Sequence, residues 1–389
     1  MNKITYITSH HWDTKRQGGF HKFAEYTASL GIETVFFSFP RPYYGYFMNR
    51  EQLNKPLLKM LNKGKFYELE NSKSLLNVTF STLRLPDGIT KFFPDFIANF
   101  LLTHAFRSFK KFARKYFSDT DCFVFESCEG VALLPKIKKL FSEATIIYRP
   151  SDPMVYGSVP ERVKKLEQQM LYNADLNLIV NEEGLKTYRE NIPDFEDKVK
   201  YQVLSNGVDI SSYEKTYDCP EILNKQNTIL YVGAWEVEWK LLFEAAEKLS
   251  DCNFVIVCPN YPGDAIQKKI KEYKNIFYVP GISPKEVPAW ITNCSVVIVP
   301  YVTDFYKDRP LGITAKYYQA MAAKKPIVAY CDTPKLKEAG VPVTYTFDDF
   351  ITEVKKAAEK KECVYDFDLS NRKWENITSR FLELIEKCK

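Results

Sequence analysis

The chain begins with a hydrophobic pattern of strand, turn and helix. Residues 3–9 (KITYITS) alternate apolar and polar side chains as a strand does, and the polar stretch 10–19 then leads into a helical pattern at 20–31, which ends at Gly31. More short β-rich runs follow, separated by helical stretches: 33–40, 121–127, 144–149, 176–180 and 201–204. Strands that alternate with helices predict βαβ units and hence a parallel sheet.

The same pattern starts again after residue 210. Five apolar runs with helical runs between them are typical of buried strands: 228–234, 253–259, 275–281, 294–301 and 326–331. We therefore predict an α/β protein with two doubly wound domains, 1–210 and 211–370, and a final helix within 371–389. In open parallel sheets a ligand binds at the carboxyl ends of the strands, so the polar loops after the strands are the places to search for a site.

The composition agrees with a folded chain of this size. The 389 residues are 45% apolar and 26% charged, which is ordinary for globular proteins. The first apolar run is broken by Ser9, His10 and His11, so it predicts neither a signal peptide nor a spanning helix. Nine cysteines without a CxxC pair indicate reduced thiols and argue against a disulfide framework or a zinc site. These features favour a cytoplasmic location.

A basic and aromatic segment lies at 91–117. It interleaves phenylalanines with six lysines and arginines against a single acid, Asp95. Such a segment predicts binding to an anionic membrane surface; the alternative is an ordinary domain helix whose phenylalanines face the core. The net charge of the whole chain, +5, is modest and gives no reason to expect a nucleic-acid partner.

Asp152 is a candidate catalytic residue. It follows a predicted strand and stands next to Pro153, with Pro150 two residues before it, so the backbone of its loop is restricted. A carboxylate held rigidly in a loop at the end of a strand suits a general base that takes a proton from an acceptor hydroxyl. The alternative is an aspartate that caps a helix or closes a turn.

The region 299–330 is a candidate pyrophosphate site. It combines a strand, a polar loop, a helix that begins near Gly312 and another strand. The free N–H groups of the helix N-terminus and the charge of Lys316 one turn later would hold a pyrophosphate. The alternative is a solvated lysine on the helix. Three side chains of the preceding loop favour the ligand site: Tyr301, Lys307 and Arg309.

Gly233 directly follows the first strand of the second domain. A glycine there would let backbone N–H groups approach a phosphate closely. It supports the site only in combination with the helix that carries Lys316.

Metal and cofactor chemistry finds little support. Residues 119–121 (DTD) match the DxD pattern of metal-dependent transferases, but they precede a strand and read better as a solvated turn. The four histidines lack the spacing of metal ligands: His10, His11, His21 and His104. No GxSxG, GxxxxGKS or GxGxxG motif indicates a hydrolase, a P-loop or a Rossmann dehydrogenase. We expect no metal and no cofactor.

The order of several short stretches along most of the chain resembles one family. These stretches are 8–21, 121–127, 146–152, 206–209, 231–235, 279–281, 299–301 and 315–328. They are similar to the GumK-like inverting GT-B glycosyltransferases, the xanthan glucuronosyltransferase and its relatives. The resemblance implies two Rossmann-like domains that face a central cleft, with the helix at 371–389 returning to the first domain.

The resemblance also implies roles for individual residues. Asp152 falls on the family's catalytic base, Ile282 lies where the uracil is held, and three residues fall on nucleotide and pyrophosphate contacts: Tyr301, Lys316 and Gln319. Many retaining GT-B enzymes carry two glutamates at the positions of Leu311 and Gln319. Their replacement here favours an inverting reaction.

The implied function is transfer of a sugar from a UDP-sugar to a polyprenyl-diphosphate-linked glycan at the inner face of the cell membrane. If the sugar is glucuronic acid, Lys307 and Arg309 are candidates to pair with its carboxylate. The alternative is that both pair with Asp304 and Asp308 in a solvated loop. A nucleotide-sugar 2-epimerase on the same fold and a non-catalytic transferase that acts as a membrane-bound partner are the alternative functions.

Overall fold

Two parallel sheets organise the chain, one in each of two compact units. The structure is a computed structural model that describes residues 1–69, 73–157, 159–225, 227–303 and 312–388. Unit 1 comprises Met1–Ser205 and Trp374–Lys389, and unit 2 comprises Asn206–Lys373.

The elements of unit 1 come first in the chain. Its strands are β1 (Lys3–Thr8), β2 (Glu33–Ser38), β3 (Arg41–Pro42), β4 (Asn49–Arg50), β5 (Leu53–Asn54), β6 (Lys65–Glu68), β7 (Ser74–Val78), β8 (Ser81–Thr82), β9 (Cys122–Phe125), β10 (Thr145–Tyr148), β11 (Leu176–Ile179) and β12 (Tyr201–Val203). Its helices are α1 (Gly19–Ser29), α2 (Lys55–Lys63), α3 (Asp87–Thr90), α4 (Asp95–Thr103), α5 (Phe109–Tyr116), α6 (Leu134–Leu140), α7 (Glu161–Asn173), α8 (Glu182–Asn191) and α9 (Phe195–Lys198).

Unit 2 repeats the alternation of strands and helices. Its strands are β13 (Thr228–Val232), β14 (Asn253–Val257), β15 (Ile276–Val279), β16 (Val296–Pro300), β17 (Ile327–Tyr330) and β18 (Val343–Thr344). Its described helices are α10 (Ile210–Tyr213), α11 (Trp239–Lys248), α12 (Asp264–Ile270), α13 (Val287–Asn293), α14 (Ala315–Ala322) and α15 (Phe347–Ala358). The last helix of the chain, α16 (Trp374–Glu386), belongs to unit 1.

The large sheet of unit 1 has the order β12-β11-β10-β9-β1-β2-β7-β6. Every neighbouring pair is parallel except β6 and β7, which form an antiparallel edge. Side chains of β1 point alternately to its two faces: Ile4 and Tyr6 pack with α1 and α16, and Ile7 packs in the core on the other face. Because both faces are covered, the central strands are apolar almost throughout.

The final helix is held to unit 1 by aromatic packing. The ring centroid of Phe23 on α1 lies 5.2 Å from that of Trp374 and 4.9 Å from that of Phe381. Phe381 also stacks on Tyr6 of β1, with centroids 6.5 Å apart. These rings are buried, so α16 completes the core on one face of the first sheet.

The sheet of unit 2 is entirely parallel, with the order β15-β14-β13-β16-β17-β18. Its two faces carry separate hydrophobic cores, and neighbouring residues of β13 divide between them: Ile229 and Tyr231 on one face, Leu230 on the other. The prediction of an α/β protein with two doubly wound sheets is confirmed.

The basic and aromatic segment 91–117 is divided between two environments. In α5 the phenylalanines Phe109 and Phe112 are buried in the core, while the lysines and arginines of that helix are exposed. Ahead of α5, before and within α4, phenylalanine side chains are instead exposed, and Phe92 and Phe96 keep 77% and 73% of their surface in contact with solvent. Among the described residues, no helix is long and apolar enough to cross a bilayer.

Candidate active site

Each sheet has a topological switch point, where the connections that follow two adjacent strands run toward opposite edges of the sheet. In unit 2 this point lies between β13 and β16, because the chain leaves β13 toward β14 on one side and returns through β16 on the other. Ligands of doubly wound sheets bind at the carboxyl ends of strands at such a point. Gly233 follows β13 there, and Tyr301 follows β16.

Lys316 is the central cation of the unit 2 site. It lies in the first turn of α14, and its ammonium group donates a 2.5 Å hydrogen bond to the hydroxyl of Tyr301. The same ammonium lies over the rings of Tyr301 and Tyr231, 4.6 and 5.2 Å from their centroids. Enclosure of the ammonium lowers the pKa of Lys316 to about 8, although the nearby charge of Asp332 favours the protonated form. Lys316 is therefore an enclosed cation and not the solvated helix residue of the alternative interpretation.

Gly233 is required by packing within this cluster. A Cβ atom at this position would lie 2.6 Å from the hydroxyl of Tyr231 and 3.1 Å from the ammonium of Lys316. The Tyr231 hydroxyl is fixed, since it donates a 3.0 Å hydrogen bond to the carbonyl of Trp235. The structure therefore gives this glycine a packing role beside Tyr231 and Lys316, and the close approach of a phosphate to its backbone stays a prediction.

Asp332 is a buried carboxylate that sequence reasoning missed. It follows β17, accepts a hydrogen bond from the hydroxyl of Tyr317, and accepts another from the backbone N–H of Thr333 at 2.7 Å. Burial raises its pKa, and the two hydrogen bonds together with Lys316 oppose that rise. Its position after a central strand is the signal that could have identified it.

The N-terminus of α14 offers further donors. Thr314 is the residue before the helix, and its buried hydroxyl oxygen has no hydrogen-bond partner among the described residues. Gln319 lies one turn after Lys316 and is half-buried. Ile282 is half-buried after β15 and packs against the core that contains Tyr301. Lys307, Arg309 and Leu311 lie outside the described residues.

Asp152 lies in a loop of unit 1 that is anchored at both ends. On one side, the hydroxyl of Ser127 accepts hydrogen bonds from the backbone N–H groups of Ser151 (3.0 Å) and Asp152 (3.2 Å). The hydroxyl of Ser151 donates a 2.7 Å hydrogen bond to buried Glu126. Glu126 also accepts a hydrogen bond from Thr8 at the end of β1. The loop after β10 is thereby tied to the ends of β9 and β1.

The other anchor of this loop is Glu167 on α7. Its carboxylate accepts hydrogen bonds from the hydroxyls of Tyr148 and Tyr188 and a 2.6 Å hydrogen bond from the backbone N–H of Met154. Complete burial raises the pKa of Glu167 to about 7, against the effect of these donors. Asp152 itself is half-buried and does not cap α7, whose N-cap residue is Pro160.

The DTD sequence at 119–121 has a structural role. Asp119 adopts a positive φ of 59°, as aspartate does in turns, and the Asp121 carboxylate accepts hydrogen bonds from the backbone N–H groups of Asn2 (2.5 Å) and Lys3 (3.1 Å). This use of Asp121 agrees with the interpretation of the sequence as a turn.

Solved structures define the class of this fold. The chain is similar to a sucrose-phosphate synthase from Thermosynechococcus elongatus, with 13% identity, a TM-score of 0.65, and coverage of 100% of this chain and 99% of that one. A glycosyltransferase from Rickettsia africae gives 15% identity and a TM-score of 0.60 over 100% and 98% of the two chains. The fold is that of the GT-B glycosyltransferases.

The sequence comparisons are more specific. Residues 6–180 match the family described as "Glucuronosyltransferase GumK, N-terminal domain", and residues 226–359 match "Glycosyl transferases group 1". These two matches support a GumK-like GT-B glycosyltransferase, as the resemblance in its sequence indicated. A putative teichuronic acid biosynthesis glycosyltransferase of Bacillus subtilis is 21% identical over 228 residues, which are 55% of this chain and only 57% of that relative.

Proposed function

We propose that this protein is an inverting glycosyltransferase that moves a sugar from a UDP-sugar to a polyprenyl-diphosphate-linked glycan during the synthesis of a bacterial surface polysaccharide. The observation that carries the proposal is the enclosed ammonium of Lys316, placed between Tyr301 and Tyr231 at the switch point of the unit 2 sheet. An enclosed cation at a helix N-terminus is suited to a diphosphate.

In the proposed complex, unit 2 binds the donor. Lys316 and the N–H groups at the start of α14 contact the diphosphate, and the buried hydroxyl of Thr314 adds a donor. Following the family resemblance, Ile282 and Gln319 contact the nucleotide. Asp332 keeps Lys316 protonated near neutral pH, because its negative charge opposes the effect of burial.

In the proposed reaction, unit 1 activates the acceptor. Asp152 takes the proton of the acceptor hydroxyl as its oxygen attacks the anomeric carbon from the face opposite the nucleotide. The bond between that carbon and the diphosphate oxygen breaks, and UDP leaves with the electron pair. Lys316 and the dipole of α14 stabilise the charge that develops on the diphosphate. Direct attack on the face opposite the leaving group inverts the anomeric configuration.

The anchored loop of Asp152 supports its role as the base. A general base must keep its position during the reaction, and a small displacement is costly. Ser127 on one side of Asp152 and Glu167 on the other fix the backbone of this loop. Substitution of the Asp152 side chain should preserve the hydrogen bonds of the backbone N–H groups of residues 152 and 154, because neither bond involves its carboxyl group.

An exposed aromatic surface supports a lipid-linked acceptor. We define the aromatic surface as Phe92, Phe96, Phe100 and Phe106, which are exposed by 53% to 83%. Exposed phenylalanines in such number within residues 92–106 favour contact with a nonpolar partner. The exposed lysines and arginines of α5 follow in the sequence, so the protein is proposed to bind an anionic membrane at its cytoplasmic face.

Substitution of the four phenylalanines of the aromatic surface by serine is expected to weaken binding to vesicles of phosphatidylglycerol and phosphatidylcholine by at least about tenfold. In the native protein each ring would leave water when it enters the membrane interface, and serine lacks this contribution. Sedimentation with vesicles at two salt concentrations measures the effect. Phe66→Ser is the control, since Phe66 is 68% exposed on β6, outside the aromatic surface. Equal binding by the quadruple variant and the native protein would contradict the membrane role.

A nucleotide-sugar 2-epimerase is the competing enzyme. An epimerase needs no acceptor and no membrane surface, so the aromatic surface favours a transferase. We expect the purified protein to hydrolyse one UDP-sugar of a panel slowly and to release UDP without forming the C2 epimer, with UDP-glucuronic acid as the expected donor. Proton NMR of the sugar nucleotides separates these products. Appearance of the epimer, or no preference among the UDP-sugars, would count against the proposal.

A further inference from the structure

A second cluster of buried polar side chains lies in unit 1. Thr8 and Ser38 are paired at the ends of the neighbouring strands β1 and β2. His11 and Arg41 follow three residues beyond these two strand ends. Both therefore lie at the carboxyl edge of the first sheet, the edge at which such sheets bind ligands.

The two side chains are buried without the partners that burial requires. Arg41 is 6% exposed and His11 is 4% exposed. Among the described residues, nothing accepts a hydrogen bond from Nε or Nη2 of Arg41, and neither ring nitrogen of His11 has a partner. Only Nη1 of Arg41 is bonded, to the carbonyl of Pro40 at 3.3 Å. Buried polar groups are nearly always hydrogen-bonded, so four such atoms in one cluster indicate a missing component.

A partly buried arginine of unit 1 shows the ordinary arrangement. Arg84 forms ion pairs with Glu129 at 2.6 Å and Asp87 at 2.7 Å, and it also donates to the hydroxyl of Tyr44. For Arg41 the titratable neighbour is instead the thiol of Cys128, whose pKa is raised by its own burial so that it carries no charge at pH 7, and burial lowers the pKa of Arg41 to about 10. A buried cation without a carboxylate is costly to keep unless something else pairs with it.

The unpartnered atoms of Arg41 also have the geometry of an anion receptor. The Nε–H and Nη2–H groups lie on one edge of the guanidinium and donate in parallel to two oxygens of a phosphoryl or carboxylate group. Burial and the charge of Arg41 lower the pKa of His11 to about 4, so the imidazole is neutral at pH 7 and can donate one further hydrogen bond.

The loop of His11 is held in place by a second histidine. His21 on α1 donates from Nε2 to the carbonyl of His11 at 3.1 Å, while its Nδ1 accepts from the backbone N–H of Gly18 at 3.4 Å. The next backbone N–H, that of Trp12, donates to the side chain of Asn77 at 3.0 Å. The backbone of His11 is thus held by hydrogen bonds of its neighbours, and among the described residues its own ring forms no hydrogen bond.

We infer that Arg41 and His11 form a site in unit 1 for a small oxyanion, a phosphoryl or carboxylate group. The strands β2, β1, β9 and β10 are adjacent in the sheet, and Asp152 follows β10 at the same edge. An anionic group of the acceptor is the proposed occupant. This last assignment rests on the proposed function, whereas the existence of the site does not.

Local hydrogen exchange in the presence of inorganic phosphate tests the site. Phosphate at about 20 mM, compared with chloride at equal ionic strength, is expected to slow exchange about threefold in peptides that cover 8–21 and 38–46 if the dissociation constant is about 10 mM. Glucuronate replaces phosphate in a parallel experiment, which distinguishes a phosphoryl from a carboxylate preference. Peptides of unit 2 report separately on phosphate bound near Lys316.

Arg41→Met should abolish this protection, while Arg50→Met, which removes an exposed arginine from the same unit, should preserve it. If Arg41→Met does not fold, Arg41→Lys is the test variant instead. It keeps the positive charge but lacks the two parallel donors, so it should bind the anion less tightly. Unchanged exchange in the native protein with either anion, as expected if water fills the site, would overturn the inference. So would protection that persists in both Arg41 variants. The experiment needs no UDP-sugar, so its outcome is independent of the proposed transferase activity.

Discussion

Asp152→Asn is expected to lower the rate of sugar transfer by about 10²–10⁴-fold, the usual contribution of a general base. Asparagine has nearly the same shape but cannot take the proton of the acceptor hydroxyl. The hydrogen bond from the backbone N–H of residue 152 to Ser127 does not involve the substituted group and should persist. The turnover number of transfer should therefore fall. The affinity for UDP, which calorimetry measures, should be unchanged.

Asp197→Asn is the control for this variant, since Asp197 is an exposed aspartate of the same unit. It should leave the turnover number within about twofold of the native value, as surface substitutions usually have small effects. Equal turnover of Asp152→Asn and the native protein would remove Asp152 from the mechanism.

Lys316→Ala is expected to weaken UDP binding by about 1.5–3 kcal/mol, the scale of hydrogen bonds to a charged group. This corresponds to a dissociation constant roughly 10–150 times higher. Lys355→Ala removes an exposed lysine of the same unit and should leave the affinity unchanged. If Lys316→Ala binds UDP as tightly as the native protein, the diphosphate lies elsewhere.

The pH dependence of UDP binding provides a second test of Lys316. Its pKa in the free protein is about 8, and a bound diphosphate would raise that pKa. Below pH 8 the ammonium is already protonated, so the affinity should not change with its titration. Above pH 8 binding must be accompanied by protonation, and the affinity should fall by up to about tenfold per pH unit. Lys316→Ala should lose this dependence.

The sequence predicted the two sheets because the sequences of buried parallel strands are short apolar runs that alternate with helices. β13 to β17 each correspond to one such run. The edge strand β6 and its neighbour β7 were not predicted. Strand β6 (Lys65–Glu68) is short and partly exposed. It joins the sheet by pairing with β7, which in turn pairs with β2, and a local sequence pattern does not reveal such pairings.

The sequence also located the main candidate side chains but not the groups that support them. Lys316 and Asp152 could be found because each stands in a polar loop or helix start after an apolar run. Glu126 and Glu167 owe their roles to partners distant in the chain, and nothing in their local sequence distinguishes them. Their burial and hydrogen bonds exist only in the folded structure.

The phenylalanines of 91–117 illustrate a different limit. The spacing of Phe109 and Phe112 fits one face of a helix, but the same residue type at Phe96 and Phe100 on α4 is exposed. Composition could indicate that the segment is aromatic and basic. Which rings enter the core is decided by the sheet on which the helices pack.

The central claim is tested most directly by following a radiolabelled sugar from UDP-glucuronic acid into the lipid-extractable fraction of isolated bacterial membranes. The native protein is expected to move the label into that fraction and to release UDP in equal amount. Asp152→Asn should transfer about 10²–10⁴-fold more slowly at the same UDP affinity. Label that stays in the sugar nucleotide with the native protein, or that enters the lipid fraction equally fast with Asp152→Asn, would contradict this account.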